Sequence, residues 1–261
     1  MDKIVIIGAG NVATHLTLAL KNSGCTICQV YSRNLSNADC LAQLVAAEPI
    51  DSLKEIRTDA DFYFLAVSDS AIASVVQLMP LVSGVVVHTA GSIPLSVLEK
   101  FSLYGVFYPF QTFTKDRGVD FSKIPVLIEG NRSDVRRELT RLAATISNQV
   151  LKADSNRRAL LHVAAVFSSN FVNHMYTISH DLLERSGLDF DLLKPLITET
   201  TQKALSMNSV DAQTGPARRK DFGVMGEHLE KLSVTKNYQE IYELISKSIV
   251  ETYYPGSPFF S

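Results

Sequence analysis

The opening stretch, residues 3–20, reads KIVIIGAGNVATHLTLAL and constrains the fold more than any other part of the chain. Residues 4–7 form an unbroken apolar, β-branched run, the pattern of a strand buried on both faces. Gly8, Gly10 and Ala13 follow in a G-x-G-x-x-A spacing, then an amphipathic run through Leu16 and Leu20 that stops at Gly24. Each small residue has a mechanical role. Gly8 lets the chain turn sharply out of the strand, Gly10 lets a pyrophosphate approach the backbone, and Ala13 lets the helix pack close to the strand. The free N–H groups of the helix start, at Asn11 and Val12, then face an anion favoured by the helix dipole. The spacing alone is weak evidence; between a buried strand and a helix it indicates a dinucleotide-binding fold.

The next strand, expected at residues 26–31, indicates which dinucleotide. NAD-binding folds place an acid about 20 residues beyond the glycines to hold the ribose 2′-hydroxyl. Here the strand ends in Ser32, Arg33 and Asn34, and residues 29–38 contain no acid. Asp39 is the nearest, and Ser36 with Asp39 reads as a capping pair at a helix start. A hydroxyl, a guanidinium and an amide suit a 2′-phosphate, so the expected cofactor is NADP.

The chain has 261 residues, enough for two domains and for a core that needs neither disulfide nor metal. A formal charge of −2 gives no support for a nucleic-acid or membrane-surface partner. A strand beginning at residue 4 leaves no room for a signal peptide, and Asp69, Pro80, His88 and Pro94 break up the long low-charge stretch 62–98. The expectation is a cytoplasmic enzyme. Cys25 and Cys28 spell C-x-x-C, but at a strand rather than a helix N-terminus, and read as core thiols.

Strands are expected at residues 61–67, 84–88, 104–107 and 126–129, with helices at 38–47, 71–78 and 133–147 between or after them. This alternation defines an α/β, doubly wound parallel sheet whose strand C-termini form one ligand edge. Along that edge lie Gly8 to Val12, then Val67, Ser68 and Asp69, then His88 to Ser92. The later strand ends stand near the nicotinamide end of a bound cofactor, so Val67, Ser68 and His88 are candidate cofactor contacts. Asp69 and Ser70 also read as helix caps, and His88 as a hydrogen-bonded structural residue.

Strand signals stop near residue 153. The expected organisation is a dinucleotide-binding domain at 1–153 and an all-helical domain at 154–261, with helices at 157–186, 189–205, 224–232 and 238–253. On the first of these, His162, Ser169 and Asn173 fall near one angular position with Asn170 beside them, opposite Phe167, Phe171 and Met175. The polar stripe fits a substrate cleft between the two domains; the apolar side fits a homodimer interface. His162, His174 and His180 are too far apart for a metal site, so none is expected. The stretch Thr214–Asp221 reads as a loop with three adjacent cations, from which Arg219 is the candidate to hold a substrate anion. The aromatic, Pro-rich tail 253–260 either packs on a neighbour or is disordered.

Several of these stretches together resemble the bacterial NADP oxidoreductases that join a Rossmann-like domain to a helical C-terminal domain of unknown function. The matching residues are GAGNVA at 8–13, YSR at 31–33, LAVSD at 65–69, HTAGS at 88–92, YPFQTF at 108–113, HVAAVFSSNF at 162–171, and TGPARRKD at 214–221 with His228 and Leu229. Two departures stand out: Tyr108 where the family usually has His, and Arg219-Lys220-Asp221 where it has Arg-Gly-Asp. More distantly the chain is similar to ketopantoate reductase, pyrroline-5-carboxylate reductase and 6-phosphogluconate dehydrogenase-type enzymes. In ketopantoate reductase a Lys and two Asn recur every four residues on the first helix of the second domain; here those steps hold His162, Val166 and Asn170. The resemblance implies a Rossmann domain followed by a 6-phosphogluconate dehydrogenase-like helical domain. It also implies an oxidoreductase that passes hydride between NADPH and a small carbonyl or imine substrate, with His162, Ser169 and Asn170 as candidate catalytic residues. The alternative is a non-catalytic NADP-binding sensor or assembly protein on the same fold.

Overall fold

The computed structural model describes residues 1–257; the end of the aromatic tail, 258–261, lies outside the described residues. The chain divides into two compact units, residues 1–170 and 171–261.

The first unit is built on one eight-stranded sheet in the order β3-β2-β1-β4-β5-β6-β7-β8. Its elements are β1 (Lys3–Ile7), α1 (Asn11–Asn22), β2 (Thr26–Tyr31), α2 (Leu35–Val45), β3 (Glu48–Ile50), β4 (Phe62–Leu65) and α3 (Asp69–Leu78). These are followed by β5 (Val85–His88), β6 (Tyr104–Pro109), β7 (Val126–Gly130), α4 (Ser133–Ala144), β8 (Val150–Lys152) and α5 (Ser155–Ala165). The first six strands follow the 3-2-1-4-5-6 order of a Rossmann fold, with a crevice where the order reverses between β1 and β4. The sheet is mostly rather than wholly parallel, because β7 runs antiparallel to β6. The connection 110–125 carries only the 3₁₀ turn Phe121–Lys123, so it lacks the crossover helix that a parallel return would need. The short strands β3 and β8 were not legible: three residues are too few for a periodic signal.

The apolar runs form the core on both faces of the sheet. Ile4 and Ile6 pack on one side with Leu16, Phe64 and Val87, and Val5 and Ile7 on the other with Tyr63, Leu65 and Val86. Cys25 is buried in this core, and burial pushes its thiol up; Cys28, expected as a second core thiol, is only half-buried. The capping pair Ser36–Asp39 does not form. Asn34 caps α2 instead, accepting from the Ser36 N–H at 3.0 Å, while Asp39 accepts from Gln43 at 2.7 Å.

The run expected as one helix at 157–186 is interrupted. After α5 comes a π-helical stretch, Val166–Phe171, and then α6 (Val172–Glu184). The second unit continues with α7 (Lys194–Ser206), α8 (Ser209–Ala212), α9 (Pro216–Arg219), α10 (Phe222–Leu232) and α11 (Lys236–Tyr253). The stretch read as a loop at 214–221 thus contains a helical turn, started by Pro216 after Gly215 at φ +104°. Its buried centre is small: Ala217, Met225 and Val250, with Phe222, Tyr242 and Ile249 packed against them. Neither α6 nor α7 buries a residue fully. Among the described residues no helix is long and apolar enough to cross a membrane.

Candidate functional site

The crevice between β1 and β4 is shaped by two glycines with opposite reasons. Gly8 sits at φ +127°, and a Cβ there would lie 2.2 Å from the Ala66 carbonyl oxygen. No other residue lets the β1 turn pass so close to the end of β4. Gly10 has ordinary φ, and a Cβ there would meet nothing within 4 Å. The protein itself does not require that glycine; the open space it leaves lies at the start of α1. Gly10 is the N-cap and has no side chain to satisfy the first N–H groups of the helix, those of Asn11 and Val12. A cavity of about 370 Å³ opens here, lined by Gly8, Ala9, Gly10, Ser32, Arg33, Val67 and Ser68 among others.

No acid lines this cavity, and among the described residues Arg33 forms no ion pair. These residues fit a dinucleotide with a 2′-phosphate: unsatisfied helix-start N–H groups for the pyrophosphate, then Ser32 and Arg33 for the extra phosphate. Asn34 is not in the lining, since its carbonyl oxygen is committed to the α2 cap; Asn37 stands in the wall instead.

Ser68 occupies the N-cap position of α3, but its hydroxyl makes no capping bond and lies 3.4 Å from Ser70 Oγ. Asp69 is not a cap either; it accepts from Ser92 Oγ at 2.5 Å, tying the end of β4 to the loop after β5. His88, expected at the same edge, has no exposed surface and does not line the cavity. Its Nδ1 accepts from the Ala90 N–H at 3.2 Å, which places the ring proton on Nε2, facing Pro94 without closing a standard hydrogen bond. Burial, reinforced by the charge of Arg158, pulls its pKa down to about 3.

A second cavity, about 390 Å³, lies within the same unit and gathers His162, Ser168, Ser169 and Asn170 with Tyr108 and residues 110–113. Three of the sequence candidates therefore meet here. Asn173, expected on the same stripe, is not in the lining; it lies beyond the π-helical stretch, in the second unit.

The residue sequence reasoning left without a role is Tyr108. Its hydroxyl is 3.1 Å from His162 Nδ1, and the rings meet edge-on at 6.3 Å between centroids. Burial pushes the phenol up from its ordinary pKa; the nearby charge of Asp69 adds to this and that of Arg158 opposes it. The phenol therefore stays protonated at neutral pH and is able to donate to Nδ1, and the neutral ring then carries its proton on Nε2. Gly91 fits against both side chains: a Cβ there would come 2.7 Å from His162 Nδ1 and 2.8 Å from the Tyr108 hydroxyl.

One turn before His162 on α5 lies Arg158, 1% exposed. It pairs with Glu129 of β7 and donates to the Ile93 carbonyl at 2.5 Å. Ser155 completes the cluster, donating to Glu129 at 2.9 Å and accepting from the Leu95 N–H at 3.0 Å. This brace holds α5, and with it His162, against the sheet and the loop after β5. Glu129 in the apolar strand VLIEG was the available signal, since an acid in such a run needs a buried partner. Arg219 belongs to the second unit, exposed on α9. Its neighbours are engaged: Arg218 donates to the Tyr254 hydroxyl at 3.0 Å, and Lys220 to Ser257 at 2.8 Å. The described part of the aromatic tail thus packs on its own chain.

A Rossmann crevice suited to a phosphorylated dinucleotide, with a hydrogen-bonded Tyr–His pair in a neighbouring cavity of the same unit, defines a dinucleotide-dependent oxidoreductase. Comparison with known proteins carries the assignment further. Residues 3–90 match the family described as NADP oxidoreductase, coenzyme F420-dependent, and residues 124–249 match the domain of unknown function DUF2520. The solved structure of BF3122 from Bacteroides fragilis, provisionally described as an NADP oxidoreductase, is 45% identical over 96% of this chain and 98% of its own, with a TM-score of 0.89. TM1727 from Thermotoga maritima is 23% identical over 95% and 99%, with a TM-score of 0.77. The reductive aminase of Aspergillus terreus, solved with NADPH and ethyl-5-oxohexanoate, shares the fold at 14% identity over 98% and 95%, with a TM-score of 0.71. Comparison with curated proteins returns no match. The chain belongs to the NADP oxidoreductase family that includes BF3122.

His88 gives the unit a pH dependence of known sign. Unfolded, its ring takes a proton near pH 6.5; folded, it resists until about pH 3. Its contribution to stability is complete above pH 6.5 and is lost as pH falls toward 3, at up to about 1.4 kcal/mol per pH unit. His88→Asn, which keeps an acceptor for the Ala90 N–H, is expected to give a shallower fall in urea-unfolding stability between pH 7 and pH 5 than the wild type.

Proposed function

We propose that the protein is an NADP-dependent reductase acting on a small carbonyl or imine compound, with the substrate in the cavity lined by Tyr108, His162, Ser169 and Asn170. The observation that carries this reading is the Tyr108–His162 hydrogen bond at 3.1 Å. A carbonyl or imine that accepts hydride needs a proton at its oxygen or nitrogen, and the bound NADPH supplies only the hydride. In this reading Tyr108 fixes the imidazole so that Nε2–H faces the substrate; as that proton passes to the substrate, Nδ1 takes the Tyr108 proton, so the ring stays neutral and water reprotonates the phenol. The Arg158–Glu129 brace fixes the helix that carries the ring. Asn170 lies roughly 12 Å along the helix from His162 and holds the other end of a small substrate, with the Ser169 hydroxyl between them.

The lysine of the related ketopantoate reductase is absent, which favoured a non-catalytic NADP sensor or assembly protein. The Tyr–His pair supplies an alternative donor and favours the enzyme. His162→Ala is expected to lower kcat by at least about 100-fold on any keto acid or imine that supports NADPH oxidation, leaving NADPH affinity and melting temperature nearly unchanged. Normal turnover, or loss of activity through unfolding, makes His162 structural.

The cofactor assignment is tested at Arg33. Wild-type protein is expected to bind NADPH more tightly than NADH by calorimetry, and Arg33→Asp to remove that preference by repelling the 2′-phosphate and accepting the ribose hydroxyls. Equal affinity of the wild type for both cofactors ends the assignment.

We also propose a homodimer formed through residues beyond about 155. Its support is the large apolar side chains left uncovered on the helices, including Leu160 and Val163 on α5, Leu196 on α7 and Leu244 on α11. Light scattering at micromolar concentration is expected to give twice the mass of the 261-residue chain; a monomer rules the dimer out.

A further inference from the structure

The connection 110–125 between β6 and β7 is long and has little regular structure, yet it is tied at one place to α1. Asn11, the first residue of that helix, donates through Nδ2 to the Phe113 carbonyl at 3.0 Å. One turn on, His15 lies 2.9 Å through Nε2 from the Thr114 carbonyl. A carbonyl only accepts, so the His15 ring carries a proton on Nε2. The His15 ring also stacks on Phe113, 5.3 Å between centroids at 27°. Phe113 in turn stacks on Phe121, which belongs to the main core. Two hydrogen bonds and a ring stack thus converge on two adjacent residues. His15 is nearly buried, an unusual place for an imidazole unless its bonding matters.

The two ends of this latch lie at different sites. Residues 110–113 form one wall of the cavity that contains Tyr108 and His162. Asn11 stands at the start of α1, directly after Gly10, which lines the crevice between β1 and β4.

We propose that Asn11 and His15 are positioning residues of the reductase: they hold the 110–113 wall of the substrate cavity to the helix that receives the cofactor phosphates. This rests on the cofactor reading given above. Neither side chain touches the reacting atoms. Asn11 gives its backbone N–H to the phosphate site and its side-chain amide to the wall, so filling one site orders the other. Such coupling is reciprocal: an ordered wall also favours cofactor binding.

The connection carries its own reporters, since Lys115 and Arg117 are exposed trypsin sites just past the latch. Trypsin cleavage of the full-length protein after these two residues is followed by mass spectrometry, with cleavage after Lys231, in the other unit, as the control for general unfolding. Without cofactor, His15→Phe, which keeps an aromatic ring but loses the donor, and Asn11→Ala are each expected to be cut about fivefold faster than wild type at Lys115 and Arg117 but not at Lys231. His15→Gln, which restores a donor, is expected to bring the rate back toward wild type. Saturating NADPH is expected to slow cleavage of the wild type at these sites by a similar factor, and to protect His15→Phe less.

Unchanged cleavage in both His15→Phe and Asn11→Ala overturns the latch whether or not cofactor binds. If NADPH binds by fluorescence and leaves wild-type cleavage unchanged, the latch exists but does not couple the two sites, and the proposal falls. If NADPH does not bind at all, the cofactor reading fails with it, while the cofactor-free rates still decide whether the latch forms.

Discussion

The close pass of Gly8 beneath the end of β4 is the constraint on which the dinucleotide crevice depends. A Cβ at this position would lie 2.2 Å from the Ala66 oxygen, and φ is +127°. Any larger residue would push β1 and β4 apart where the strand order reverses. The two strands pair in register from Ile4–Phe62 to Ile7–Leu65, and the backbone ladder carries on past the glycine: Gly8 donates to the Tyr31 carbonyl and Ala66 to that of Ile7. This geometry aims α1 across the crevice, and the open space at Gly10 leaves the start of that helix accessible.

A second constraint acts at the far side of β5. Arg158 and Glu129 bury opposite charges against the sheet; Ser155 and the Ile93 carbonyl take up further donors and acceptors, and Arg158 Nε is left buried without a partner. A buried ion pair of this kind is a poor source of net stability, because desolvation offsets the attraction, but breaking it leaves a stranded charge. Its effect here is geometric. It fixes the azimuth of α5, so that His162 meets Tyr108 and Gly91 has no room for a side chain. Burial, with the same cation adding to it, keeps His88 uncharged behind the site.

The strongly periodic parts of the fold were legible in the sequence, and so was the crevice. The apolar runs, the glycine spacing and the lack of an acid after β2 are local signals, and each acts where it is read. The antiparallel turn into β7 was not legible, because it depends on the absence of a helix in 110–125 rather than on any residue. The π-helical stretch was hidden too, because VFSSNF has an ordinary helical composition. Tyr108 and His162 are 54 residues apart, and only the sheet register and the α5 brace bring them together. Arg219 was legible as the candidate cation of its stretch only because composition singled out three; the packing of Arg218 and Lys220 against Tyr254 and Ser257 is what leaves it exposed.

The brace also bears on why a histidine, and not a lysine, occupies position 162. Arg158 and residue 162 are one turn apart on the same helix, the spacing at which like charges repel. Arg158 is buried, so solvent screens that repulsion little. A lysine, cationic throughout the neutral range, would add a second positive charge one turn from Arg158, whose own charge Glu129 offsets in part. An imidazole carries no obligatory charge, and a phenol held protonated by burial gives its Nδ1 a donor without adding one. The Tyr108–His162 pair is thus a proton-donating arrangement compatible with a buried guanidinium beneath it.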